Sequence, residues 1–191
     1  MTTFSRLFAP LAVAALLLGG CQEEKVAEKP APVELTAEAA GHYCQMTVLE
    51  HNGPKAQIHL AGNPAPLWFT QVRDAVAFTR LPEEPKDYVA IYVSDMGKAE
   101  SWDHPGRDNW IDADAAWFVI ESGRRGGMGA PEAIPFGAKT DAETFVAANG
   151  GRILRFADIP DDYVLAPVEM PKDMNAADAT GMAHTSAARE L

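Results

Sequence analysis

Two stretches of the chain carry the same succession of patterns, and that repetition restricts the fold more than any other feature. In the first, KAQIHLAG (55–62) and PLWFT (66–70) have the composition of strands. QVRDAVAFTR (71–80) then sets Val72, Ala75, Val76 and Thr79 on one helical face. DYVAIYVSD (87–95) alternates Tyr88, Ala90 and Tyr92 against Val89, Ile91 and Val93, as a strand does. In the second, AAWFVIES (115–122) and EAIPFGA (132–138) read as strands, followed by the helical TDAETFVAANGG. There Thr140 and Glu143 have capping-box spacing, Ala142, Phe145 and Val146 make the apolar stripe, and Gly150 closes the helix. RILRF (152–156) returns as a strand, and ADIP makes a short turn. The expectation is an α+β fold of two similar ββαβ units with mixed sheets, spanning 41–97 and 98–166. Their join, KAESWDHPGRDNWIDAD (98–114), is rich in turn formers and tryptophan. A chain of 191 residues, 47 % hydrophobic, suffices for one such domain or two small halves sharing a core.

The first twenty residues are different in kind. MTTFSRLF has one Arg and no acid, and APLAVAALLLGG is an apolar run of signal-peptide length, short for a membrane span. The run ends Leu18-Gly19-Gly20-Cys21, which resembles a bacterial lipobox. That resemblance implies cleavage before Cys21, lipidation of Cys21 and attachment to a membrane through the lipid. Gln22, where an Asp would retain the protein at the inner membrane, points to the outer membrane's inner leaflet. Residues 21–40 are charged and rich in Pro and Ala, and read as a flexible tether able to span several tens of Å at about 3.3 Å per residue. The tail from Pro167 has no periodicity and reads as flexible. It carries Met170, Met174, Met182 and His184, candidates for auxiliary metal capture. The net charge of −11 leaves no basic face to neutralise phosphates, which excludes nucleic acid as a partner.

With Cys21 acylated, Cys44 is the one remaining thiol, so no intramolecular disulfide can form. A lone thiol in an oxidising compartment is a liability unless it is buried, used or ligated. It stands in GHYCQMTVLEHNG (41–53), two residues before Met46 and between His42 and His51. Each residue alone has an ordinary role: Cys and Met as core hydrophobes, His as a surface or capping group. Together a thiolate and a thioether form a soft donor pair that prefers Cu(I) to the other metals of a cell. On an extended segment the i, i+2 spacing would turn both side chains to one face. A third donor must come from elsewhere. Met128, among Gly126, Gly127 and Gly129 in a turn between two strands, is the best candidate, and His42 and His51 are alternatives.

These residues together resemble the NosL family of copper-binding lipoproteins from the nitrous oxide reductase cluster. The resemblance covers about positions 41 to 160 and the lipobox. It rests on CQM (44–46), WFTQVRDAVAFT (68–79), WIDADAAWFVIES (110–122), GGMGAPEAIPF (126–136) and AETFVAANGGRILRF (142–156). It implies a periplasmic, lipid-anchored Cu(I) chaperone, without catalytic residues, that delivers copper to nitrous oxide reductase or its assembly factors for the catalytic copper–sulfide centre. The family's ligands would fall on Cys44, Met46 and Met128; a fourth is not fixed, with His42 and His51 the candidates. The implied fold is similar to part of the organomercurial lyases. The long Met/His tail departs from the family pattern. An exposed thiolate site also allows one copper to be shared in a homodimer. The competing readings are a metal-free structural lipoprotein, a blue-copper electron carrier, and an organomercurial-lyase-like thiol enzyme. The last of these lacks a second thiol in the mature chain.

Overall fold

The computed structural model describes residues 29–168. The first pattern becomes β1 (Ala56–Leu60), β2 (Leu67–Phe69), α1 (Val72–Arg80) and β3 (Tyr88–Ser94). After β4 (Trp110–Asp112), the second becomes β5 (Trp117–Ile120), β6 (Ile134–Phe136), α2 (Lys139–Asn149) and β7 (Arg152–Leu154), and α3 (Asp161–Leu165) follows. The sheets have strand orders β2-β1-β3-β4 and β6-β5-β7. Each unit therefore puts its first strand in the middle, its second on one side, and the strand returning from the helix on the other.

The α+β class is as expected, but the sheets differ from the expected mixed pairing. Every pair of named strands is antiparallel. A helical crossover makes β2 and β3 run the same way, yet β1 lies between them, so the parallel pair never become neighbours. Among the described residues, parallel pairing is confined to a bridge between Gly41 and Trp68.

The two helices bury very different amounts. On α1, Val72, Arg73, Ala75, Val76, Ala77, Phe78 and Thr79 are all buried. The helix shares one core with Ile58 and Phe69 of the first sheet, Phe118 and Ile120 of the second, and Val164 of α3. It is covered on nearly all sides, so its amphipathic sequence pattern understates its burial. On β5 the alternate residue, Val119, faces away and joins Ile134, Phe136 and Ala142 of α2 in a second core. α2 lies on that outer face, and only Ala142 of its residues is buried.

Three expectations fail locally. The capping box does not form: α2 starts at Lys139, one residue before Thr140, with Ala138 at the N-cap position and no side-chain cap. Thr140 is thus already inside the helix, where its carbonyl accepts from Thr144 Oγ1 at 2.9 Å. Gly150 does end the helix, at φ 72°. The segment read as a tether through residue 40 is docked from Pro30 onward. Pro30 O accepts from Tyr92 Oη at 2.6 Å, and Val33 exchanges two hydrogen bonds with the buried Gln57 amide at 2.8 and 2.9 Å. Leu35 and Ala39 are buried against Val48, Trp68 and Trp110. Short apolar residues among charges look like a linker in sequence, yet here they lie across the face of the first sheet that carries Gln57 and Tyr92. Finally, the join contains the edge strand β4, paired to Tyr92, Val93 and Ser94.

Candidate metal site

The chain around Cys44 is a tight hairpin. Ala40 pairs with Thr47, and Gly41 N–H donates to Met46 O at 2.9 Å. Gln45 takes a left-handed conformation, φ 57°, held by its own N–H on Gly41 O at 2.8 Å and its side-chain amide on His42 O at 2.7 Å. The expected extended segment is therefore absent. A left-handed residue between Cys44 and Met46 reverses the chain, so the alternating-face argument does not describe this pair. The half-buried Cys44 folds back over Gly41, and a β-carbon at Gly41 would lie 2.6 Å from Sγ. Only glycine leaves room for the thiol there. On its other side Sγ stands 3.7 Å from Thr70 Oγ1. Met46 is 41 % exposed, on the returning arm.

Met128 sits at the tip of a second hairpin. Arg125 bridges Pro131, and Gly126 N–H donates to Ala130 O at 2.9 Å. Met128 N–H donates to Gln71 Oε1 at 3.1 Å. Thr70 and Gln71 are consecutive buried residues joining β2 to α1. The Cys44 and Met128 hairpins, 84 residues apart in sequence (128 − 44), thus dock on adjacent positions of one junction.

The histidines part company. His51 Nδ1 lies 3.2 Å from Gly127 O, beside the Met128 hairpin. His42 packs among Tyr43, Phe69 and Phe78, with Nε2 4.0 Å from Glu84 Oε2. Among the described residues, no group of three or more His, Cys, Asp or Glu side chains is placed to hold a metal ion. The soft donors on these two hairpins are one thiol and two thioethers. Cys21, Met170, Met174, Met182 and His184 lie outside the described residues.

Beneath the hairpins is a buried polar layer. Lys55 is 1 % exposed, and its ammonium donates to Asn52 O, Gly53 O and Thr70 O at 2.9, 2.9 and 3.3 Å. It fastens the segment after His51 to the residue that touches Cys44. Burial lowers its pKa to about 8, opposed by attraction to Glu132. Glu132, 1 % exposed, is pushed up to about 8 by the same loss of water, opposed by hydrogen bonds from Arg73 N–H and Ala133 N–H. None of Lys55, Thr70, Gln71 and Glu132 is singled out by sequence reasoning. The one signal was the two charged residues, Lys55 and Glu132, directly ahead of apolar strands.

A sequence model of the NosL family matches residues 32–164, which include both hairpins. The chain belongs to the NosL family. It is 54 % identical over 172 residues to the copper-binding lipoprotein NosL of Achromobacter cycloclastes, covering 90 % of this chain and 89 % of that one. It is 32 % identical over 164 residues to the copper-binding lipoprotein NosL of Stutzerimonas stutzeri, covering 83 % and 84 %. The crystal structure of the copper chaperone NosL from Shewanella denitrificans superposes with a TM-score of 0.63 at 32 % identity, over 69 % of this chain and 96 % of that one. These NosL relatives are named for binding copper and none is named as an enzyme.

Proposed function

We propose that this NosL-family protein is a periplasmic Cu(I) metallochaperone. It is anchored through Cys21, at the inner leaflet of the outer membrane, and delivers copper to nitrous oxide reductase or its assembly factors for the catalytic copper–sulfide centre. Cys44, Met46 and Met128 are the ligands in this reading, with His51, beside the Met128 hairpin, and His42, within the Cys44 hairpin, as candidates for a fourth. The observation that carries it is the docking of the Cys44 and Met128 hairpins on the consecutive residues Thr70 and Gln71. The names of the NosL relatives support the choice of metal. A thiolate and thioethers suit Cu(I), and Met46, exposed at the rim, leaves the ion open to an incoming donor. Copper then moves by ligand exchange: a partner's donor adds, a shared-ligand intermediate forms, and a sulfur of this chain leaves. Cys44 binds as thiolate, so copper uptake displaces its proton and affinity falls as the solution is made mildly acidic.

Delivery is tested by mixing the Cu(I)-loaded protein with copper-free nitrous oxide reductase, with and without its assembly factors, under anaerobic conditions. The reading expects copper in the reductase fraction and growth of its cluster absorption, both lost with Cys44→Ser. Copper that stays with this protein in every mixture would contradict it. So would equal delivery by the Cys44→Ser variant.

A further inference from the structure

We propose that Gln71 and Glu132 are positioning residues for Met128: together they clasp its hairpin onto the N-terminus of α1, so that this donor is presented on the side of the junction that holds Cys44. The proposal rests on the metallochaperone reading above and deepens it.

The starting observation is a helix whose own N-cap residue does not cap it. The N-cap position of α1 is Gln71, and no side-chain capping bond comes from it. Ser, Thr, Asp or Asn usually fill this role, because the first N–H groups of a helix have no intrahelical acceptor. The acceptor comes instead from the second ββαβ unit. Glu132 Oε1 accepts from Arg73 N–H at 2.8 Å and from Ala133 N–H at 2.9 Å. Relieved of capping, the buried Gln71 amide turns to the Met128 hairpin. Its Oε1 accepts from Met128 N–H at 3.1 Å, and its Nε2 donates to Asp74 Oδ2 at 3.1 Å. The bonds cross in opposite directions. The Met128 hairpin's following residue, Glu132, satisfies the helix, and the helix's leading residue, Gln71, satisfies the hairpin.

Space at the base of the hairpin is matched to this arrangement. A β-carbon on Gly126 would collide with Glu132 Oε2 and would lie 2.7 Å from Gln71 Oε1. Both oxygens therefore face one spot beside the hairpin backbone, and Gly126 has to lack a side chain. Glu132 Oε2 is buried and has no hydrogen-bond partner among the described residues. An unpaired buried acceptor is destabilising, so a carboxyl is a poor choice if only stability matters.

The anchor acts on Met128 because of what surrounds it. Methionine has three rotatable side-chain bonds, and glycines on both sides of this one offer it no packing. Fixing its backbone N–H sets the point from which its side chain reaches. Without the clasp the hairpin keeps its own closure, the Arg125–Pro131 bridge, and stays tied to the protein through the His51 contact to Gly127 O. The loop would persist, with that point no longer held in one place.

The test is an anaerobic Cu(I) competition titration, with X-ray absorption at the copper edge, on the full chain and its Gln71→Ala, Glu132→Ala, Glu132→Gln, Met128→Ala and Cys44→Ser variants. Gln71→Ala and Glu132→Ala should each lose one sulfur neighbour of copper, as Met128→Ala does, and weaken binding about tenfold. Glu132→Gln should keep the sulfur count and the affinity, since its amide oxygen still accepts from Arg73 N–H and Ala133 N–H. Gln71→Ala leaves the Glu132 cap on α1 intact, so it decides the matter should Glu132→Ala fail to fold. Wild-type sulfur count and affinity in Gln71→Ala, against a clear loss in Met128→Ala, would overturn the proposal. So would a Glu132→Gln variant that behaves as Glu132→Ala. Copper binding unmoved by Cys44→Ser would overturn the metallochaperone reading itself.

Discussion

Glu132 shows how one side chain couples the site to the solvent. Burial raises its pKa to about 8, so the folded protein holds this proton more tightly than the unfolded chain. The stability that goes with it is complete below the ordinary carboxylate range and is lost as pH rises toward 8. Lys55 is shifted the other way, to about 8 from 10.5, so its effect falls in the window above 8. Between about pH 5 and 8 the slope from this pair is therefore that of Glu132. Glu132→Gln keeps the shape and removes the charge. Urea unfolding at about pH 5, 6.5 and 8 should show the variant gaining on the parent as pH rises. Parallel stability curves for the two proteins would contradict the burial argument.

At the scale of the elements, the repeated ββαβ pattern hides an asymmetry. α1 is enclosed by both sheets and α3, whereas α2 rests on an outer face. Phe78→Ala on α1 should cost about 3–5 kcal/mol, the range for a fully buried phenylalanine. Phe145→Ala on α2 should cost about 1–2 kcal/mol, because that ring is only partly buried against Phe136. Chemical denaturation of the two variants gives the comparison directly, and equal losses would refute the enclosure of α1. The elements themselves were legible because period 2 is written in β3, period 3.6 in α1 and α2, and β5 is a short unbroken apolar run. β4 was not, since Trp-Ile-Asp is too short for a period to appear among turn formers. The capping box was legible and misleading: α2 begins one residue earlier and never uses it. The turn at Cys44 was missed because glutamine, unlike glycine or asparagine, does not advertise a left-handed conformation.

At the scale of the whole molecule, the candidate site is made by bringing an N-terminal hairpin and a loop of the second unit to the entry of α1. The residue types were readable from sequence, because a cysteine two residues before a methionine and between two histidines is conspicuous. Their anchors were not, since Gln71 meets Met128 across 57 residues and Arg73 meets Glu132 across 59. Those pairings exist only once the units pack. The central claim is that one Cu(I) is held by sulfur from both hairpins. The measurement that reaches it most directly is an anaerobic Cu(I) titration of residues 22–191 against a chromophoric chelator, beside Cys44→Ser and Met128→Ala. The account predicts one tight Cu(I) per chain, abolished by the first change and weakened by the second; half an equivalent would mark a copper-bridged pair of chains. Tight binding that survives both changes, or no tight binding at all, would contradict it.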